Sequence, residues 1–182
     1  MTEIASRYRK LAAEFTRHVA DVPEEHWEDP SPCAGWTAGD VLRHVHDFHQ
    51  HLPEYAGLSL DLPTSVDDRP LDAWVEARDA MQALLDDPER AGAEYDGMFG
   101  RTSVEQTVDQ FVNFDLLIHG WDIARATGQD ETLPADEVKQ AYEGAVALGD
   151  NLRRDGVCGP EVPVSADAPL QDRLLGLLGR TP

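Results

Sequence analysis

Apolar residues recur at spacings of three and four along most of this chain, and proline or glycine interrupts the rhythm at helix-length intervals. That period belongs to amphipathic α-helices, whereas half-buried strands alternate at every second residue. The first stripe is Ile4, Tyr8, Leu11, Phe15, Val19 and Val22, ended by Val22-Pro23. A second helix begins at Thr37, which with Asp40 three residues on makes a capping box. Its apolar face is Val41, Val45, Phe48, Leu52 and Tyr55, and Pro53 ends its regular part. Pro70 suits the first position of a third helix that carries Leu71, Trp74, Val75, Arg78, Met81 and Leu85. Thr102 or Ser103 caps a long fourth helix that runs to about Thr127 and stops at Gly128. Pro134 opens a fifth, with Val138, Tyr142, Ala145, Leu148 and Leu152 inward and Gly156 as its stop. A short apolar helix, Leu170 to Leu178, closes the chain. The connections read as a loop at 28–35, a linker at 56–68, a loop or short irregular hairpin at 86–101 and an extended, proline-rich stretch at 157–169. Strands fit only near 95–101 and 161–165. The expected fold is all-α, a four-helix bundle with an extra C-terminal helix and a short extended tail, and residues 1–182 are expected to form one domain.

Charge narrows the partners. Lys and Arg number 15 against 35 Asp and Glu, a formal net charge of −20. Nucleic acid requires phosphate-neutralising cations, and an anionic membrane surface requires the same, so neither is an expected partner. The acidity reads as a solvated surface. No long apolar run provides a transmembrane helix, and the N-terminal MTEIASRYRKLAAEF has no apolar signal core, so a cytoplasmic location is expected. Cys33 and Cys158 are not a CxxC pair. In a reducing compartment they are expected as free thiols, and Cys33 as a packed, inert one.

The informative constellation is on the fourth helix. Val104, Val108, Phe111 and Val112 define its inward stripe, and the stripe continues through Asp115, His119 and Asp122 before returning to Ile123 and Ala126. Three ionisable side chains on a buried face need partners, because an unpaired buried carboxylate costs several kcal/mol, by order of magnitude. Either they satisfy one another or they bind something. Asp115 and His119, four apart, stack one turn over the other, which suits two ligands of one metal ion. A third ligand comes from another helix, and the second is histidine-rich: His44, His46, His49 and His51. On its wheel His44 and His51 flank one edge of the apolar stripe, His49 flanks the other, and His46 points outward. His44 or His51 is thus placed to join Asp115 and His119. Two imidazoles and a carboxylate suit zinc foremost, and also nickel, iron or cobalt. Three protein ligands leave a position open for a small-molecule substrate. Asp122 fits an acceptor behind the ligands, or a structural one, better than a ligand. Trp36 and Trp121 read as core or pocket wall.

The run PSPCAGWTAGDVLRHV (30–45) resembles the P-C-x-G-W-T-x-x-D-L-x-x-H segment of the DinB/YfiT-like metal-binding superfamily. More closely, it is similar to the N-terminal domain of mycothiol-dependent maleylpyruvate isomerases. The run DLLIHGWDIARATGQ (115–129) resembles that family's D/E-x-x-x-H-x-W-D-x-A-x-A-T-G helix, and 167–182 resembles the tail of a single-domain, metal-binding subfamily. The resemblance implies a DinB-like bundle holding a divalent metal through three ligands. The motif histidine falls on His44, which selects it over His51, and the other two ligands fall on Asp115 and His119. Members commonly carry Glu at the place of Asp115, so this chain's ligand is one methylene shorter. The isomerases also carry a second domain, so the resemblance does not extend to isomerase activity. What it does imply is a metal-dependent thiol S-transferase joining a small electrophile to a low-molecular-weight thiol such as mycothiol, in a monomer or homodimer. The alternative is a non-catalytic metal-binding or small-ligand-binding bundle.

Overall fold

The computed structural model describes residues 2–154 and 157–182. Helix α1 (Glu3–Ala20) starts where the Thr2 hydroxyl accepts from the Ala5 amide at 3.1 Å. Helix α2 (Ala38–His51) starts at the expected capping box: the Thr37 hydroxyl accepts from the Asp40 amide at 3.1 Å, and the Asp40 carboxylate accepts from the Thr37 amide at 2.9 Å. Helix α3 (Pro70–Leu85) has Pro70 in its first turn. A single turn, α4 (Pro88–Ala91), leads to an antiparallel hairpin of β1 (Glu94–Gly97) and β2 (Gly100–Ser103), with Glu94 opposite Ser103. Ser103 then caps α5 (Val104–Thr107), and Gln106 completes a second capping box. A π-helical turn at Val108–Val112 carries α5 into α6 (Asn113–Thr127), so the fourth long helix is continuous in direction but holds an extra residue in one turn. Helices α7 (Ala135–Leu148) and α8 (Leu170–Leu177) follow. No helix among the described residues is long and apolar enough to cross a membrane.

Helix α1 packs on α3 and α6, and α2 packs on the same two, so the four close into a ring with α1 diagonal to α2. This is the all-α, DinB-like bundle that the sequence implied. Its fully buried centre includes Tyr8, Phe15, Leu42, Trp74, Met81 and Ile118. Phe15 meets Trp74 edge-to-face at 4.7 Å between centroids, and the Trp74 indole donates to the Thr16 hydroxyl at 2.8 Å. Helix α6 is the most enclosed element, with every residue from Leu116 to Ala124 buried. A helix buried on all sides is unusual in a small bundle. Here α1 and α2 cover part of it, and the C-terminal tail covers another part through Arg180 and Thr181.

The structure corrects several sequence expectations. The fifth helix ends at Leu148, because Gly149 breaks it at φ +52°. Leu152 reaches the core from a following 3-10 turn, and Gly156 lies outside the described residues. No strand forms at 161–165 among the described residues. Tyr55 is exposed, not buried on its stripe, and Leu71 at the start of α3 is exposed as well. Phe111 is only half-buried, because the π turn rotates the chain there and Asn113 becomes fully buried in its place. His46, expected to point outward, is 5% exposed: α2 is wedged between α3 and α6, so more than one of its faces is covered.

The tail is fixed by a close backbone approach. The Val162 amide donates to the Gly176 carbonyl at 2.9 Å, and a Cβ on Gly176 would meet the Val164 side chain and lie 2.7 Å from the Val162 carbonyl oxygen. The end of α8 is a Schellman turn. Gly179 sits at φ +83°, its amide donates to the Gly176 carbonyl at 3.0 Å, and the Arg180 amide donates to the Leu175 carbonyl at 2.9 Å. Gly176→Ala is therefore expected to cost about 1–3 kcal/mol through overpacking. Denaturant unfolding would measure this, and an unchanged midpoint would contradict the packing described here.

Candidate metal centre

Three elements converge beside the middle of α6. The capping box launches α2 so that His44, two turns in, faces α6. The fourth helix presents Asp115 and His119 one turn apart. The loop before α2 supplies a wall: Pro30 pairs with Thr37, the Ser31 amide donates to the Trp36 carbonyl at 2.8 Å, and Gly35 at φ +81° makes the tight turn that delivers Trp36. Trp36 lies 5.1 Å from the His44 ring and 6.3 Å from the His119 ring, stacked on the latter, while the two imidazoles meet edge-on at 4.9 Å.

The predicted ligand residues come together. One ligand atom each from His44, Asp115 and His119 lies within 4.8 Å of the others. His44 Nε2 is 3.2 Å from Asp115 Oδ2, and their side chains are 39% and 22% exposed, so this side of the cluster reaches solvent. An open cleft lined by Gly35, Trp36, Asp40, Arg43, His44 and Asp47 adjoins it. Burial alone would lower the basicity of His44. The hydrogen bond and charge of Asp115 more than offset that, and its pKa is raised.

Behind His119 the environment closes. His119 Nδ1 is 2.9 Å from Asp122 Oδ2, and Asp122 is 0% exposed. The Arg180 guanidinium grips the same carboxylate, with Nε donating to Oδ1 at 3.1 Å and Nη2 donating to Oδ2 at 2.7 Å. Burial pushes the Asp122 pKa up, but hydrogen bonds from His119 and Arg180 outweigh it and hold the group at about 2, an ionised carboxylate. Cys33 completes the cluster, its thiol donating to Asp122 Oδ2 at 3.3 Å. Burial, and then the Asp122 charge, push that thiol up to about 12, so Cys33 is the packed, protonated thiol that the sequence suggested. A second trio, Cys33, His119 and Asp122, also lies within 4.8 Å, but the Arg180 guanidinium already supplies its cation. Arg180 is the participant that sequence reasoning missed. The glycine before it marks a helix stop, but nothing in the sequence signals a partner on α6.

The remaining histidines do not join. His51 is exposed, with Nδ1 donating to the Asp47 carbonyl at 2.7 Å. His46 is buried 3.5 Å from Asp47 Oδ1, and its Nε2 has no hydrogen-bond partner among the described residues. His49, 1% exposed, belongs to the core: Nδ1 donates to the Val45 carbonyl at 2.7 Å, Nε2 accepts from the Tyr8 hydroxyl at 3.1 Å, and the ring stands edge-on to Trp74.

This combination of a four-helix ring and an inward His/Asp/His trio is that of a DinB-like helical bundle. The chain belongs to the family described as the mycothiol maleylpyruvate isomerase N-terminal domain, whose model matches residues 8–124. Two proteins of Mycobacterium tuberculosis, from two strains and both described as uncharacterized, are 29% identical to it over 172 residues, which covers 92% of this chain and 92% of each relative. No solved structure matches the chain. The family match takes in His44, Asp115, His119 and Asp122; Arg180 lies beyond it.

The buried His49 ring sets a pH dependence. Burial lowers its pKa from 6.5 to about 4, so the unfolded chain binds a proton there that the fold refuses. The resulting stability is fully present above pH 6.5 and is lost as pH falls toward 4, amounting to about 3 kcal/mol. Denaturant titrations of metal-free protein across that window should show the decline. His49→Leu should remove this part of the slope, and it leaves the Tyr8 hydroxyl the Arg78 carbonyl, 3.3 Å away, as acceptor. Equal slopes for the two proteins would refute the assignment.

Proposed function

We propose that His44, Asp115 and His119 bind one divalent metal ion, zinc foremost, and that the bundle is a metal-dependent thiol S-transferase using a low-molecular-weight thiol such as mycothiol. The observation that carries this reading is the trio itself: two imidazoles and one carboxylate within 4.8 Å, open to solvent on the His44 side. This donor set suits a borderline cation, and nickel, iron and cobalt are accommodated by the same chemistry. Three protein donors with an open side are the pattern of a site that admits an exogenous ligand, in contrast to closed structural sites. Membership of a mycothiol-named family supports a thiol as that ligand.

A divalent cation held by the trio would stabilise the thiolate form of a bound thiol. The chain's own residues do the rest. Asp115 supplies the negative charge that draws a cation into the cluster. His119 is held by Asp122, so its Nδ1 is occupied and Nε2 is the nitrogen left to coordinate. Trp36 walls the pocket and excludes water from one side of the imidazoles. Cys33, protonated and tied to Asp122, does not compete as a nucleophile, so the attacking sulfur comes from the small thiol. Residues 1–182 act as one domain in this reading, and its location is cytoplasmic.

Elemental mass spectrometry on protein purified without a nickel column tests the site. About one equivalent of metal is expected in wild type, with His44→Ala or His119→Ala reducing it to near zero. Turnover of an electrophile such as chlorodinitrobenzene with a panel of small thiols should then vanish on chelation. Metal without turnover would favour a non-catalytic metal-binding bundle, and wild type that takes up no zinc when offered it would overturn the metal reading.

A further inference from the structure

We propose that Arg180, from the C-terminal tail, is a positioning residue for this centre: by gripping Asp122 it fixes the His119 ring with Nδ1 as hydrogen-bond donor, which keeps the Nε2 lone pair for coordination. The inference rests on the reading of His44, Asp115 and His119 as metal ligands.

Four observations carry it. The grip is a bidentate fork, Nε on Oδ1 at 3.1 Å and Nη2 on Oδ2 at 2.7 Å, which sets the plane of the carboxylate as well as its charge. Arg180 is itself 8% exposed and immobilised: Nη1 donates to the Leu178 carbonyl at 2.9 Å, Nη2 lies 3.2 Å from Cys33 Sγ, and the Schellman turn at Gly179 fixes its backbone. Among the described residues, fully buried Asp122 has only His119, Cys33 and Arg180 as side-chain partners, and of these only Arg180 is a permanent cation. Finally, Oδ2 is shared. The oxygen that accepts from His119 Nδ1 is the one Arg180 holds most closely, so displacing the guanidinium releases the carboxylate to turn and removes the fixed acceptor for the ring. Acceptors behind ligand histidines orient them in this way and raise metal affinity. The tail, which lies outside the family-matched residues, thereby becomes part of the site.

The test is zinc affinity by chelator competition on the full chain. It compares wild type, Arg180→Gln, Arg180→Lys, Asp122→Asn and the Arg180→Gln/Asp122→Asn double variant. Nitrogen-15 NMR of the His119 ring in metal-free protein reads the tautomer directly. Arg180→Gln should weaken zinc binding about 10- to 100-fold, with lysine intermediate because it lacks the fork. In the Asp122→Asn background the Arg180 substitution should add little, since it acts through that carboxylate. Wild type should show the proton on Nδ1 of His119, and Arg180→Gln should show a mixture of tautomers. Wild type that binds zinc while Arg180→Gln binds it equally well, or losses that multiply in the double variant, would overturn the inference and leave the metal reading intact. Wild type that binds no zinc would instead sink the metal reading itself. Should the Arg180 variants fail to fold, the wild-type NMR still decides: a proton on Nε2 of His119 overturns the proposal.

Discussion

A fully buried carboxylate anchors the architecture. Asp122 sits at 0% exposure in the most enclosed helix of the bundle, where an unpaired charge would cost several kcal/mol, by order of magnitude. Its charge is met from three directions: His119 from one turn below on the same helix, Cys33 from the loop before α2, and Arg180 from the tail. Loop, helix and tail are thus joined through one residue. The bidentate guanidinium makes the pair close to neutral as a unit, which is what allows a charged group to persist at that depth. The same network explains why the tail packs where it does. Gly176 permits the approach of the Val162–Val164 backbone, and Gly179 permits the turn that aims Arg180 inward.

The open half of the cluster depends on helix packing. Because α2 and α6 are neighbours in the ring, His44 faces Asp115 without help from a long loop, and the capping box at Thr37 and Asp40 fixes where α2 starts. The π turn at Val108–Val112 lies just upstream of Asp115. It inserts one residue, turns Phe111 partly out and Asn113 in, and resets the face that the following turns present. A regular helix would have kept Phe111 on the buried stripe.

Much of this was legible in the sequence because it rests on local rules. Helix starts follow from Thr37, Pro70 and the Thr102–Ser103 pair, of which Ser103 is the cap, and the Asp115–His119 pair follows from its four-residue spacing. What was not legible depends on who packs against whom. A helical wheel presumes one buried face and so points His46 outward, whereas α2 is covered by both α3 and α6. The apolar spacing continues through Leu148 and Leu152 and so points to Gly156 as the stop of the fifth helix, whereas Gly149 already breaks it. Arg180 was invisible because its partner is fifty-eight residues away, and one arginine near a helix end is ordinarily a solvated side chain.

The electrostatics of the two halves argue for where a cation belongs. His119 is common to both trios of potential ligands. On the Cys33–Asp122 side the protein supplies its own cation, and the thiol there is held protonated. On the His44–Asp115 side the described residues offer no such partner: Asp115 pairs with an imidazole, whose charge depends on pH. Two carboxylates thus flank one histidine, one neutralised by a guanidinium and one not. A divalent ion entering this cluster gains more from the uncompensated carboxylate, and the solvent-facing cleft beside His44 and Trp36 lies on that same side. Behind the ring the charge is closed, and His119 Nδ1 is committed to Asp122; in the proposed reading the other nitrogen is the one that meets a ligand on the open side.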